Sequence, residues 1–412
     1  MWERFFDFAL RRMIKIGALT VVFPSGRVRT YGDGSSDQVK ARLHDRRSVR
    51  RLVLNPELAF GESYTDATLT IENDDLRGLF RVILQNKSAG TNLPGQAVIQ
   101  KIRSALRWIS QHNPIGRAQA NVAHHYDLSD ALYEMFLDED RQYSCAYFRT
   151  PDDTLEQAQA QKKAHIAGKL LIEPGMRVLD IGCGWGGMAL TLARDYGAQV
   201  VGVTLSEEQY KIARARVSAA GLDDQIDIRL MDYRALDDRF DRIVSVGMFE
   251  HVGVPHYNEY FAKVRGLLTE EGVALIHTIG RTIPPSHTNA WIAKYIFPGG
   301  YCPSMSEVLR VVEQEDLYPC DIEVWRLHYA ETLRHWHQRF SANRARIKAL
   351  YDERFCRMWS YYLLACEMTF RHHHQCVFQF QLTRLQDAVP LTRDYLYRAA
   401  EGQPVEHAHA AE

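Results

Sequence analysis

The stretch from residue 177 to 280 constrains the fold most. Val178-Leu179-Asp180-Ile181 is apolar enough for a buried strand, breaks at Gly182-Cys183-Gly184-Trp185-Gly186-Gly187, and passes into a helical pattern from Met188. Four further strand-like runs follow at 198–206 (AQVVGVTLS), 226–232 (IDIRLMD), 241–247 (DRIVSVG) and 272–280 (GVALIHTIG). Helical stretches between them end near Tyr196 and Ala220 and span about 257–268. Strands alternating with helices at this spacing predict an α/β, doubly wound, mostly parallel sheet. Such sheets bind ligands at the carboxyl ends of their strands, where the glycine run lies. No internal repeat is evident.

The amino-terminal part reads differently. Trp2, Phe5, Phe6, Ala9, Leu10, Met13 and Ile14 recur at helical spacing among Arg4, Arg11, Arg12 and Lys15, which predicts an amphipathic helix. Short apolar runs broken by turn residues (LTVVFPSG, VRTYGDG, VRRLVLNP, ATLTIEND) predict a small antiparallel sheet, followed by a helix near 76–84. The expected layout is therefore a small α+β domain at 1–90, a linker and helix at 91–120, a larger domain at 121–395, and a tail at 396–412.

Charge separates the two ends. The whole chain is nearly neutral, with 50 Lys/Arg against 51 Asp/Glu, which argues against nucleic acid as a partner. Residues 1–120 alone hold 19 Lys/Arg and 11 Asp/Glu. Arg46, Arg47, Arg50 and Arg51, near the aromatic helix, form a candidate contact for an anionic membrane surface, beside the plainer reading of a solvated face. No apolar run is long enough to span a bilayer. Seven cysteines without a CxxC pair indicate neither a disulfide framework nor a zinc ribbon, and fit a reducing compartment. The run His372-His373-His374 is not expected to bind metal, because neighbouring positions on a helix diverge by ~100°. No metal site is predicted.

A glycine loop alone also fits nucleotide-binding folds, but Asp180-x-Gly182-x-Gly184 resembles the S-adenosylmethionine loop of class I methyltransferases, a Rossmann-like fold. Taken with NVAHHYDLS (121–129), QYSCAYF (142–148), MFEHVG (248–253), IHTIG (276–280), WIAKYIFPGG (291–300), HYAETL (328–333) and YYLLACE (361–367), the chain resembles the cyclopropane-fatty-acyl-phospholipid synthase family over about residues 95–390. Residues 1–90 resemble that family's small amino-terminal domain.

The resemblance implies an enzyme that uses S-adenosylmethionine to convert a cis double bond in a phospholipid acyl chain into a cyclopropane ring. An alkene is a weak nucleophile, so attack on a sulfonium methyl demands alignment and exclusion of water. The carbocation left behind demands an apolar, π-lined pocket and one placed base. Aromatic residues lie in the matching segments: Tyr143, Tyr147, Phe148, Phe249, Trp291, Tyr295, Phe297, Tyr301 and Tyr329, most of them expected in the core. The resemblance further implies a bound bicarbonate as base, with Cys145, Glu250, His277 and Tyr329 as its ligands. It matches Cys366 to a residue assigned as nucleophile, a role the chemistry does not require. Cofactor contacts carry over to Tyr143, Ser144, Gly182, Gly184, Thr204, Leu205, Gln209, Asp232, Tyr233 and Arg234. Some relatives have Trp-Glu at the last pair, and an arginine accepts no hydrogen bonds, so its contact must differ.

As partners, the resemblance implies membrane phospholipids with unsaturated acyl chains and a homodimer, in a cytoplasmic protein held peripherally at the inner face of the membrane. Three alternatives stay open: a methyl-branched or methylene product, methylation of a small amine, and a non-enzymatic lipid carrier. The basic amino-terminal domain argues against the amine.

Overall fold

The computed structural model describes residues 1–36, 38–88 and 129–396. The expected linker and helix at 91–120, the 121–128 part of the NVAHHYDLS motif and the tail from 397 lie outside the described residues.

Two compact units form. The first comprises residues 1–88 with Ser286–Pro298 and Tyr329–Gln375. Its sheet runs in the order β2-β1-β3-β4, from β1 (Ala18–Val22), β2 (Val28–Tyr31), β3 (Gln38–Leu43) and β4 (Leu69–Ile71). The sheet is mixed rather than antiparallel throughout, since β1 pairs parallel to β3. The run at 49–56 is not a strand. Asp45 caps a helix, Arg46–Leu54, by accepting from the Ser48 amide at 2.7 Å. That helix buries Val49 and Leu52 and turns Arg46, Arg47 and Arg50 outward, so helical spacing outweighs the local β-branched composition.

The sequence reading assigned Ser286–Pro298 and Tyr329–Gln375 to the larger domain; both pack in the first unit instead. Gly61 makes this close fit possible, because a Cβ there would lie 2.5 Å from the Trp291 ring. Glu367, fully buried on helix Glu353–His372, is held by Arg77 at 2.8 Å and Arg371 at 2.9 Å. Buried carboxylates persist only when paired in this way. That helix ends at His372, and His373 is already extended, so the three histidines do not share a helix as the sequence reading supposed. Among the described residues, no group of three His, Cys, Asp or Glu could hold a metal ion.

The second unit comprises residues 129–285, Gly299–His328 and residues 376–396. Its seven-stranded sheet is built from β5 (Arg177–Ile181), β6 (Gln199–Thr204), β7 (Ile226–Leu230), β8 (Phe240–Val246), β9 (Leu268–Arg281), β10 (Tyr318–Trp325) and β11 (Gln375–Thr383), in the order β10-β11-β9-β8-β5-β6-β7. Strands β5 to β9 pair parallel, and β10 and β11 antiparallel. The chain winds outward from β5 through β6 to β7, then returns to β8 on the other side of β5. The carboxyl ends of β5 and β8 therefore flank the switch point, where a crevice opens. Helices cover both faces over cores built from Leu179, Ile243, Phe249 and Phe261 on one side and Val178, Leu192, Val244 and Leu275 on the other.

Candidate active site

Two adjoining pockets, both open to solvent, lie at this crevice and share Gly182, Gly184, Gln209 and Val246 as walls. All ten residues expected to contact the cofactor line them. Tyr143 and Ser144 face the first, Gly182, Gly184 and Gln209 both, and Thr204, Leu205, Asp232, Tyr233 and Arg234 the second. Gly182 adopts φ +81° and Gly184 φ +55°, conformations that favour glycine. A Cβ on Gly184 would meet no atom within 4 Å, so the missing side chain leaves room beside the turn. Helix Gly187–Tyr196 starts directly after it.

The first cavity is polar. Asp180, at the end of β5, is buried, and its Oδ2 has no hydrogen-bond partner. Burial pushes its carboxyl up to about 7, with the charge of Lys162 pulling the other way. An orphaned carboxylate oxygen facing such a cavity suits a cationic amino group. In the second cavity, Thr204 donates from Oγ1 to Gln209 Oε1 at 3.0 Å, which leaves the glutamine's amide nitrogen as donor for a hydroxyl. Arg234 forks onto Asp232, with Nε to Oδ1 at 2.9 Å and Nη2 to Oδ2 at 2.7 Å, and lies 5.7 Å from the Tyr233 ring centre. The arginine that departs from some relatives thus fixes the neighbouring carboxylate. His251 lines this wall too, and burial pulls its imidazole down to about 4. The residues present fit S-adenosylmethionine: an anionic and hydroxyl-lined end for an amino acid, neutral partners for a ribose, and a ring with a clamped carboxylate for an adenine.

Just past the carboxyl end of β8, and on the neighbouring part of β9, lies a second constellation. Glu250, in the 3₁₀ turn Phe249–His251, is buried and accepts from the Ile279 amide at 2.6 Å through Oε1, while Oε2 has no partner. Burial pushes this carboxyl up to about 7, against the opposing pull of the Ile279 amide. His277, buried two residues before Ile279, is held well below its ordinary value by burial first and then by the charges of Lys162 and Lys169. Gln379 Nε2 lies 3.1 Å from His277 Nδ1, and with the amide in this orientation Nδ1 accepts and the ring proton sits on Nε2. Cys145 is buried, and its thiol donates to the Ala146 carbonyl at 3.4 Å. Glu250 is thus tied to the strand two residues from His277, and a buried carboxylate oxygen lacking a donor suits a small oxyanion that carries one proton of its own.

Tyr329 and Cys366 belong to the first unit. Tyr329 is buried, with its ring centre 5.0 Å from Phe370 and 5.8 Å from Trp336. Cys366 is partly exposed on its helix rather than sealed in the core. Several of the expected π-faces are structural: Phe249 packs on Tyr257 and Phe261, and Tyr147 stacks between His165 and His328. The sequence reading missed Lys162, Gln142 and Gln379. Gln142 stood inside a quoted motif. Nothing in LEQAQAQKKAHIAGKL, by contrast, marks Lys162 as buried.

Comparison with known proteins agrees with this geometry. Residues 115–380 match the family model described as mycolic acid cyclopropane synthetase, and residues 5–92 match a domain family of unknown function. Cyclopropane-fatty-acyl-phospholipid synthase of Escherichia coli (strain K12) is 41% identical over 332 residues, 78% of this chain and 82% of that protein. Tuberculostearic acid methyltransferase UfaA1 of Mycobacterium tuberculosis is 35% identical over 398 residues, 91% and 90% of the two chains. Among solved structures, mycolic acid cyclopropane synthase CmaA1 complexed with SAH and CTAB is 36% identical with a TM-score of 0.61, covering 64% of this chain and 97% of that one. The motifs, the switch-point crevice and these matches agree, and the chain belongs to the mycolic acid cyclopropane synthetase family of class I S-adenosylmethionine-dependent methyltransferases.

Proposed function

We propose that the protein converts a cis double bond of an unsaturated phospholipid acyl chain into a cyclopropane ring. The observation that carries this reading is the 41% identity to a cyclopropane-fatty-acyl-phospholipid synthase across 82% of its length, and the orphaned oxygen of Glu250, a residue bonded to the strand that carries His277, supports it. When bound, S-adenosylmethionine supplies an electrophilic methyl. The walls of the crevice fix its orientation, and the buried surroundings of Glu250 and His277 keep water from the cationic acyl chain. Bicarbonate would be held by Cys145, Glu250 and His277. Glu250 would accept a hydrogen bond from the anion's own hydroxyl, and His277 Nε2–H would donate one to another of its oxygens. Held in this way, the anion would supply the base for the proton that the newly added methyl loses as the ring closes. Cys366 has no step in this scheme.

The test is direct. Vesicles of a cis-monounsaturated phospholipid, incubated with protein and S-adenosylmethionine, should gain one CH₂ per reacted chain and lose olefinic proton signals. In carbonate-free buffer the rate should fall about tenfold or more and recover when bicarbonate is added. No gain of mass would remove the proposal. The same gain with the alkene retained would establish a branched product, a second reading supported by the likeness to a tuberculostearic acid methyltransferase over 91% of this chain.

The substrate resides in a membrane, and no helix among the described residues is long and apolar enough to cross one. The docking surface we propose is the amino-terminal helix Trp2–Met13, which leaves Phe5 and Phe8 more than half exposed, together with Arg46, Arg47 and Arg50. Arg50 lies 5.7 Å from the Trp2 ring, which ties the two features together. Arg51 is excluded, because it pairs with buried Glu62. At ~1 kcal/mol per basic residue near an anionic surface, Arg46→Glu, Arg47→Glu and Arg50→Glu combined should weaken sedimentation with anionic vesicles on the order of a hundredfold at low salt, with turnover falling in parallel. Unchanged partition would clear the cluster of any docking role.

A further inference from the structure

Lys162 has no place in the scheme above, yet it is fully buried beneath the first cavity. It sits on helix Leu155–Leu170, started by a capping box at Thr154 and Gln157. Its Nζ donates to Gln142 Oε1 at 2.6 Å and to Ser144 Oγ at 2.8 Å, and both acceptors line the cavity. One turn earlier on the same face, Gln159 Nε2 donates to the Ser144 carbonyl at 3.0 Å and the Gln142 carbonyl at 3.3 Å. The helix thus grips residues 142–144 by backbone and side chain together.

The chemistry of a lysine makes this grip directional. An ammonium has three donors and no acceptor, so Ser144 Oγ must accept from it. The hydroxyl's own hydrogen then has to point elsewhere, and the cavity is the space that Ser144 faces. Gln142 is oriented in the same way. Its oxygen faces Lys162, and its nitrogen donates to Asp140 Oδ2 at 3.0 Å. Asp138 and Asp140 lie near the ammonium as counter-charges, while Lys163 and Arg216 engage Asp140. The cavity wall thus carries a hydroxyl donor backed by a buried positive charge, and the unpartnered Asp180 carboxylate. Those are complements to the carboxylate and ammonium of one α-amino acid.

We propose that Lys162 is a positioning residue for the amino-acid end of S-adenosylmethionine, aiming the Ser144 hydroxyl at its carboxylate and supplying the positive potential behind that contact. The proposal rests on S-adenosylmethionine as the cofactor, and it concerns binding rather than chemistry. Dissociation constants measured calorimetrically on the full chain, for S-adenosylhomocysteine and for 5′-methylthioadenosine, which lacks the amino-acid end, separate the two.

Lys162→Met should bind S-adenosylhomocysteine about 10- to 100-fold more weakly and 5′-methylthioadenosine within about twofold of wild type. Ser144→Ala should show a smaller loss with the same selectivity, and adding it to Lys162→Met should cost little more. Equal weakening of both ligands would make Lys162 a scaffold residue, and no weakening of either would remove it from the site; both outcomes overturn the proposal. If Lys162→Met does not accumulate as folded protein, Lys162→Gln, which keeps a donor but no charge, is read by the same criterion. Wild-type protein that binds neither ligand would instead overturn the cofactor reading itself.

Discussion

Glu250→Gln is expected to slow turnover on the order of a thousandfold, the range lost when a placed acid–base group is removed. S-adenosylhomocysteine should bind it as tightly as wild type, because Glu250 lines neither cavity of the crevice. The same variant should melt no lower than wild type at pH 8. The carboxyl is pushed up to about 7 from an ordinary 4.5 by burial, so the folded state holds a proton that the unfolded state releases. Stability therefore falls as pH rises from 4.5 through 7, by roughly 3 kcal/mol at most for this group, and stays reduced above 7. The amide never ionises, so the variant should lose less stability than wild type between pH 5 and pH 8. Asp180, also raised to about 7, contributes a fall of the same sign in both proteins. Turnover within tenfold of wild type would rule out Glu250 as the group that orients the base, and a melting temperature well below wild type at pH 8 would make it a structural residue.

The second large effect is expected from Gly184→Leu. At φ +55° an L-residue is strained by about 1–2 kcal/mol, a modest fraction of a domain's stability. The new side chain meets nothing within 4 Å of its Cβ, so the fold has room for it. The room it takes belongs to both cavities, however, and the backbone of the turn no longer admits a close ligand. Binding of S-adenosylhomocysteine should weaken by on the order of a hundredfold or more, a loss far larger than the strain alone explains, while circular dichroism stays that of the folded protein. Binding retained within a few-fold would place the cofactor away from the glycine turn.

Local patterning made the second unit legible. Strands β5, β6, β8 and β9 carry apolar stretches that a buried sheet accommodates, β7 alternates Ile226 and Ile228 with Asp227 and Arg229 at the sheet edge, and the glycine turn after β5 lets the backbone come close to a ligand. Ten residues carried over by motif all line one crevice because motif residues at strand ends are placed by the fold's topology. The first unit was read less well. The run at 49–56 has strand-like composition although Asp45 caps a helix through it, and the parallel pairing of β1 with β3 leaves no local signal, since the connection rather than the strand sets direction.

Hydrophobic period and chain punctuation, written residue by residue, specify the doubly wound sheet and the glycine turn, whereas Glu250 and His277 stand out only through the resemblance of FEHVG and IHTIG to a family's motifs. Tertiary structure alone decided that Ser286–Pro298 and Tyr329–Gln375 pack with the amino-terminal segment. It decided too that Arg234 clamps Asp232, and that Lys162, in a helix reading as solvated, ends beneath the crevice. Those outcomes depend on which faces meet across large sequence separations. Burial pushes the carboxyls of Asp180 and Glu250 up, burial and the charges of Lys162 and Lys169 pull the His277 imidazole down, and no local pattern encodes either effect.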